Sequence, residues 1–116
     1  MNIKEILDLK IGGQWLVSPA ANETILCRES FSQEHKDIEK MVLKFVSERI
    51  HPNIKKIEKL DEDFSRSMME EMGNLGLIGI DAPEEYGGNE LDKITSCIVS
   101  EGVGFGGSAS FGCTFG

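Results

Sequence analysis

Ile38, Met41, Val42, Phe45, Val46 and Ile50 recur three or four positions apart, the spacing of one face of an α-helix. Beyond Pro52 the same stripe continues in phase at Ile54 and Ile57. Proline has no N–H, and its ring clashes with the carbonyl one turn back, so it ordinarily stops a helix. Because the stripe survives it, the sequence predicts a kinked helix running to about Leu60. Ser32 is a suitable N-cap, and Glu34 and Asp37 in the first turns complement the helix dipole. A helix of this length with one apolar face must bury that face against other elements, so the chain is expected to build a helical bundle.

The rest of the sequence supplies those elements. After the acidic turn Asp61-Glu62-Asp63, the residues Phe64, Met68, Met72 and Leu75 fall at helical spacing, with Met69 beside them. Methionine at such positions reads as core filler. Gly76 is suited to the left-handed residue that closes a helix. The stretch Gly73-Asn74-Leu75-Gly76-Leu77-Ile78-Gly79-Ile80-Asp81-Ala82 then reads as a helix end and a buried apolar link, leading into the turn Pro83-Glu84-Glu85-Tyr86-Gly87-Gly88. The Gly87-Gly88 pair predicts positive φ or a close chain approach, with the Tyr86 ring packed under the turn. Asp92 can cap a third helix whose apolar side carries Ile94, Ile98 and Val99. Ser108 can cap a fourth, which the chain enters shortly before Gly116. Such an ending is expected of part of a longer protein. Residues 1–30, punctuated by Gly12-Gly13 and Pro19, read as an extended arm. Ile3, Ile6, Leu7 and Ile11 in it suit one short amphipathic turn, and Trp15, Leu16 and Val17 are apolar enough to dock it. The predicted fold is all-α: an incomplete helical bundle over residues 31–116 with an N-terminal arm over 1–30.

Composition narrows the chemistry. With 116 residues the chain is one domain or part of one. Its net charge of −8 argues against nucleic acid, which needs clustered Lys and Arg. Cys27, Cys97 and Cys113 are odd in number and widely spaced, which suits a reducing compartment and no disulfides. Each reads as a small buried hydrophobe. His35 and His51 lie sixteen positions apart with no Cys at ligand spacing, so no metal site is expected. No run reaches the length of a membrane span, and the N-terminus lacks the pattern of a secretory signal. A bacterial cytoplasm is the expected location, or the mitochondrion for a eukaryotic protein.

Three patterns carry possible chemistry. Gly102, Gly104 and Gly107 fit G-x-G-x-x-G, the spacing of a dinucleotide loop, which requires a strand immediately before it. Residues 94–99 are β-prone enough to be that strand, but no strand–helix alternation precedes them. Glu84 and Glu85 are adjacent and read as a solvated turn. Ser108-Ala109-Ser110-Phe111-Gly112 only half fits a nucleophile elbow, with no His placed to serve it. No self-contained active site is legible.

The glycine-rich link and the Pro83–Gly88 turn, with Leu91-Asp92 and Ser100-Glu101 following at the right spacing, resemble the N-terminal domain of acyl-CoA dehydrogenases. The resemblance runs from about Phe31 to the last residue. It includes the helix start Ser32-Gln33-Glu34-His35 and the mid-helix Pro52. Gly12-Gly13-Gln14-Trp15-Leu16-Val17, with the later Phe31-Ser32 and Glu34-His35, is similar to the very-long-chain type. The sequence departs from the family at Asn89-Glu90, where Gly or Leu is common, and at Gly102 and Gly104, which replace better helix formers.

This resemblance implies a fragment of a FAD enzyme that introduces an α,β double bond into fatty acyl-CoA and passes electrons to an electron-transfer flavoprotein. It implies that FAD and the carboxylate base lie in later domains, so that the fragment alone is inactive. The helix begun at Ser108 is then a wall of the acyl cavity. Phe111 and Phe115, four apart on one face, would face the acyl tail, with Thr114 or Cys113 sharing the role. The alternative for both rings is bundle core. A homo-oligomer is expected, because helix faces that would otherwise be covered are left apolar. Two other readings stay open: a non-catalytic helical interaction module, and a nucleotide-binding fragment using Gly102 to Gly107.

Overall fold

The computed structural model describes residues 27–115 of the chain. The expected turn at Ile3 to Ile11 and the docking of Trp15, Leu16 and Val17 lie outside the described residues. The chain divides into two compact units, Met1–Phe31 and Ser32–Gly116. In the first, the described part is a single 3₁₀ turn over Arg28–Ser30, closed by the Ser30 N–H donating to the Cys27 carbonyl at 2.9 Å.

The second unit is helical, and no strand occurs among the described residues. Helix α1 spans Gln33–Phe45. Its N-cap Ser32 accepts the His35 N–H at 3.1 Å, and His35 Nδ1 accepts the Ser32 N–H at 3.3 Å. This is a capping box with imidazole where Glu or Gln usually stands. The helix then widens into a π turn over Val46–Ile50 and tightens into a 3₁₀ turn over His51–Asn53. It resumes as α2 over Ile54–Glu58.

Pro52 causes the irregularity. An interior proline costs roughly 3 kcal/mol. Full burial of Ile50 and Ile57, on either side of it, contributes about 1.5–3 kcal/mol each. Continuing the stripe outweighs stopping, so the helix bends. At the break the Asn53 side-chain amide donates to the Arg49 carbonyl at 2.9 Å, pairing a group that a regular helix would pair through the backbone. The two-part helix ends at Leu60, which has a positive φ of 57°.

Helix α3, Glu62–Asn74, is capped by Asp61, whose carboxylate accepts the Phe64 N–H at 3.0 Å. It closes on Gly76 at φ +72°. The Leu77 N–H returns to the Met72 carbonyl at 2.9 Å and the Gly76 N–H to the Gly73 carbonyl at 3.0 Å. That pair of bonds is a Schellman close, with buried Met72 and Leu77 at its two ends.

Helix α4 spans Lys93–Gly104 and α5 spans Ala109–Phe115. Residues 94–99 are therefore helix and not strand, which removes the strand that a dinucleotide loop requires. Asp92 decides this locally, since its carboxylate accepts the Thr95 N–H at 2.8 Å and starts a helix there. The core is one cluster: Val42, Phe45, Val46 and Ile50 from the first helix, Ile57 from α2, Met68 and Met72 from α3, Val99 and Val103 from α4, and Phe111 from α5, with Leu77 and Ile80 from the link. Met68 and Met72 are core filler, as their spacing implies.

Candidate functional site

Two regions carry the sequence motifs, and each is built mainly by backbone geometry. The first is the loop between α3 and α4. Leu77 and Ile80 anchor it in the core. Its ends are tied by Asn89 N–H to the Gly79 carbonyl at 3.0 Å, Leu91 N–H to the Ile80 carbonyl at 2.7 Å, and the Asn89 side-chain amide to the Gly76 carbonyl at 2.9 Å. Glu84–Tyr86 form a 3₁₀ turn that closes on Gly87 at φ +82°. A Cβ on Gly88 would lie 2.1 Å from the Ala82 carbonyl oxygen. The glycine pair thus divides the two expected functions, left-handed backbone at Gly87 and close approach at Gly88. Tyr86 is 79% exposed, contrary to the packing expected of it. Glu84 and Glu85 are both exposed and form the solvated turn read from the sequence.

The second region is the α4–α5 junction and α5. Gly102 lets α4 cross α1 at short range, since a Cβ there would meet Val42 Cγ1 at 2.5 Å. This is the packing reason for a glycine inside a helix, at a position where better helix formers are usual in the resembled family. Gly107, at φ +69°, turns the chain into α5. Ser108 caps α5, accepting the Phe111 N–H at 3.1 Å. Phe111 is 1% exposed and Phe115 is half-buried against the same core. Thr114 and Cys113 are exposed, and the Thr114 hydroxyl donates to the Ser110 carbonyl at 2.9 Å. The structure therefore brings Phe111 and Phe115 together on the core side of α5 and leaves Thr114 apart from them.

Glu58, at the end of α2, is a residue that sequence reading missed. Its carboxylate accepts from the Ser108 hydroxyl at 2.5 Å, the Ser110 hydroxyl at 2.9 Å and the Ser110 N–H at 3.4 Å. These bonds, the Ser108 one foremost, hold its pKa below the usual carboxylate value. No local signal points to it: the Ser108 cap has Phe111 where a capping box would carry Glu, and the acid comes from another element. His51, beside the kink, bonds through Nε2 to the Phe105 carbonyl at 2.9 Å, at the end of α4.

The remaining polar pairs are structural ties. Arg49 grips both oxygens of Glu71, which raises the arginine and lowers the carboxylate. Lys93 bonds Asp81 and lowers it. His35 Nε2 lies 3.0 Å from Asp92, tying the start of α1 to the start of α4. All three cysteines are free, and all three are exposed, contrary to the buried role expected of them. Among the described residues, no group of three or more His, Cys, Asp and Glu could hold a metal ion. Among the same residues, no helix is long and apolar enough to cross a membrane. The Gly102 to Gly107 glycines do not fit a flavin's pyrophosphate: Gly102 and Gly104 lie inside α4, and the α5 N-terminus beyond Gly107 already holds the Glu58 carboxylate, which repels a pyrophosphate.

Residues 32–116 match the family model described as the acyl-CoA dehydrogenase N-terminal domain. A probable acyl-CoA dehydrogenase of Bacillus subtilis (strain 168) is 36% identical over 107 residues, covering 92% of this chain and 18% of its own length. The mitochondrial long-chain specific acyl-CoA dehydrogenase of Sus scrofa is 37% identical over 92 residues, covering 78% of this chain and 21% of its own. A crystal structure of an acyl-CoA dehydrogenase complexed with FAD, from Bacillus anthracis, superposes with a TM-score of 0.81 at 36% identity. It covers 90% of this chain and 18% of that one. The chain thus spans about a fifth of the length of these proteins. With the family model covering the whole helical unit and the fold agreeing, this chain belongs to the acyl-CoA dehydrogenase N-terminal domain family.

Proposed function

We propose that this chain serves as the N-terminal α-domain of a FAD-dependent acyl-CoA dehydrogenase, one that introduces an α,β double bond into fatty acyl-CoA and hands its electrons to an electron-transfer flavoprotein. The observation that carries the reading is the match of the entire helical unit, residues 32–116, to that domain. The agreement in fold with an enzyme complexed with FAD supports it. On this reading FAD and the proton-abstracting carboxylate come from chain beyond the described residues, and the enzyme is a homo-oligomer. The very-long-chain assignment rests on the Gly12 to Val17 stretch and the Phe31 to His35 helix start.

In this reading the domain contributes a wall, and α5 is its working face. Phe115 is the ring best placed to limit the acyl tail, because it is only half-buried against the core. Thr114 is exposed on α5, apart from the core side that carries the two rings. Phe111 supports the wall from beneath. Its ring is 1% exposed, and Phe111→Ala should cost stability by about 3–5 kcal/mol. Phe115→Ala is therefore the informative variant. In the full-length enzyme it should move the optimum of kcat/KM toward longer thioesters, by roughly 1 kcal/mol per methylene accommodated, with flavin content retained. A chain-length series on wild type and Phe115→Ala measures this. An unchanged profile with lowered Tm would mean that the ring is only core.

A further inference from the structure

We propose that Glu58 and His51 are positioning residues that set the placement of α5, and through it the acyl lengths accepted. The second half of this statement rests on the reading of α5 as an acyl wall. The first half rests on geometry alone.

The irregular segment around Pro52, from His51 to Glu58, reaches both ends of the α4–α5 junction. His51 bonds the Phe105 carbonyl at 2.9 Å where α4 stops, and Glu58 takes two hydroxyls and an N–H where α5 starts. Between these hooks lie Gly106 and Gly107, the latter at φ +69°, so the connecting backbone has little stiffness of its own. Helix α5 is short, spanning Ala109–Phe115, and such a helix is marginal without tertiary support. Apart from the Ser108 and Glu58 caps, its ties are the buried Phe111 ring and the half-buried Phe115 ring, which set its depth on the core. A carboxylate holding the first turn by three bonds fixes where the helix starts. Directional bonds orient where apolar burial does not.

Both hooks sit on the irregular segment around Pro52, His51 in the 3₁₀ turn and Glu58 at the end of α2.

Charge matters as much as shape. An ionised Glu58 accepts all three bonds. An amide in its place keeps the size but accepts on one atom only. The test begins with the 116-residue chain and measures hydrogen exchange of the Ser110, Phe111 and Gly112 amides. Glu58→Ala should accelerate them about tenfold, the loss of one helix cap, with Glu58→Gln intermediate. Ser110→Ala, which keeps the carboxylate, should show a smaller rise. Exchange unchanged in Glu58→Ala would overturn the positioning role outright.

In the full-length enzyme, Glu58→Ala and His51→Ala should raise KM for long thioesters at least threefold over short ones, with kcat for short substrates kept and Glu58→Gln restoring much of the wild-type ratio. A general loss of stability would affect all lengths alike. If Phe115→Ala shifts the length profile and Glu58→Ala does not, the proposed effect on acyl length is wrong. If neither does while exchange is accelerated, the acyl-wall reading fails and the positioning of α5 stands.

Discussion

Leu60 and Glu90 hold φ at 57° and 49°, left-handed values at which an L side chain crowds its own backbone. Leu60 is where Gly or Asn would normally close a helix. The Leu60 N–H returns to the Ile57 carbonyl at 2.9 Å and the Asp61 N–H to the Lys56 carbonyl at 3.4 Å, the same Schellman pattern that Gly76 makes for α3. Its side chain is 71% exposed, so little packing offsets the strain. Leu60→Gly should stabilise the chain by about 0.5–1 kcal/mol, strain relief exceeding the added freedom of the unfolded glycine. Glu90→Gly should act in the same direction, since Glu90 also holds a left-handed φ. Gly102→Ala should do the opposite. The new methyl would press on Val42, and overpacking of about 1–3 kcal/mol exceeds the helix-propensity gain of about 1 kcal/mol. Urea melts of the three variants against wild type check both signs. A stabilised Gly102→Ala would show that α1 and α4 separate more readily than their packing implies.

At the scale of elements, caps at Ser32, Asp92 and Ser108 were legible, and contacts whose partner came from far along the chain were not. These three cap the helices they precede, as their side-chain oxygens and positions imply, and Asp61, read only as part of an acidic turn, caps α3 as well. The kink at Pro52 was legible because the apolar stripe kept its phase across it. The π turn before it, the Glu58 clamp and the His35 link to Asp92 were not, since tertiary partners separated by dozens of residues leave no local pattern. The exposed Tyr86 and cysteines mark another limit: residue type suggests burial, but the fold decides which faces are covered. Asp92 gives a measurable consequence. The Thr95 N–H first, then the Thr95 hydroxyl and His35, hold its carboxyl below the ordinary value of about 3.9. A carboxylate with a depressed folded value stabilises at pH above its unfolded pKa and loses that contribution as pH falls through the folded one. Stability should therefore hold near neutrality and fall below about pH 4. Glu58, Glu71 and Asp81 push the same way, so no single variant abolishes the fall. Asp92→Ala should lower stability at neutral pH by about 1 kcal/mol, the loss of one cap, and narrow the gap to wild type at low pH. A gap that stays constant on acidification would mean that the ionised carboxylate is not what stabilises α4.

At the scale of the whole molecule, residues 32–115 form a packed helical unit, and the ionisable groups of the described residues serve local structure. Each carboxylate among the described residues whose pKa is displaced is displaced downward, by the hydroxyls, amides and cations it binds: Glu29, Glu58, Glu71, Asp81 and Asp92. A base that takes a proton from carbon near neutral pH works best with its pKa raised toward the working pH, usually by burial in apolar surroundings. None of these five is tuned in that direction. The Gly102 to Gly107 segment ends α4 and leads into α5, whose first turn is capped by a carboxylate, an arrangement that repels a flavin's pyrophosphate. Purified by itself, the 116-residue chain should therefore carry no flavin and should not reduce an electron acceptor when given acyl-CoA, while still showing a cooperative helical melt from its single core. Absorbance in the flavin bands, an acyl-CoA-dependent acceptor assay and circular dichroism together check this. A flavin band near one per chain would overturn the assignment of cofactor and base to other parts of the enzyme. It would also reopen the Gly102 to Gly107 turn as a nucleotide contact.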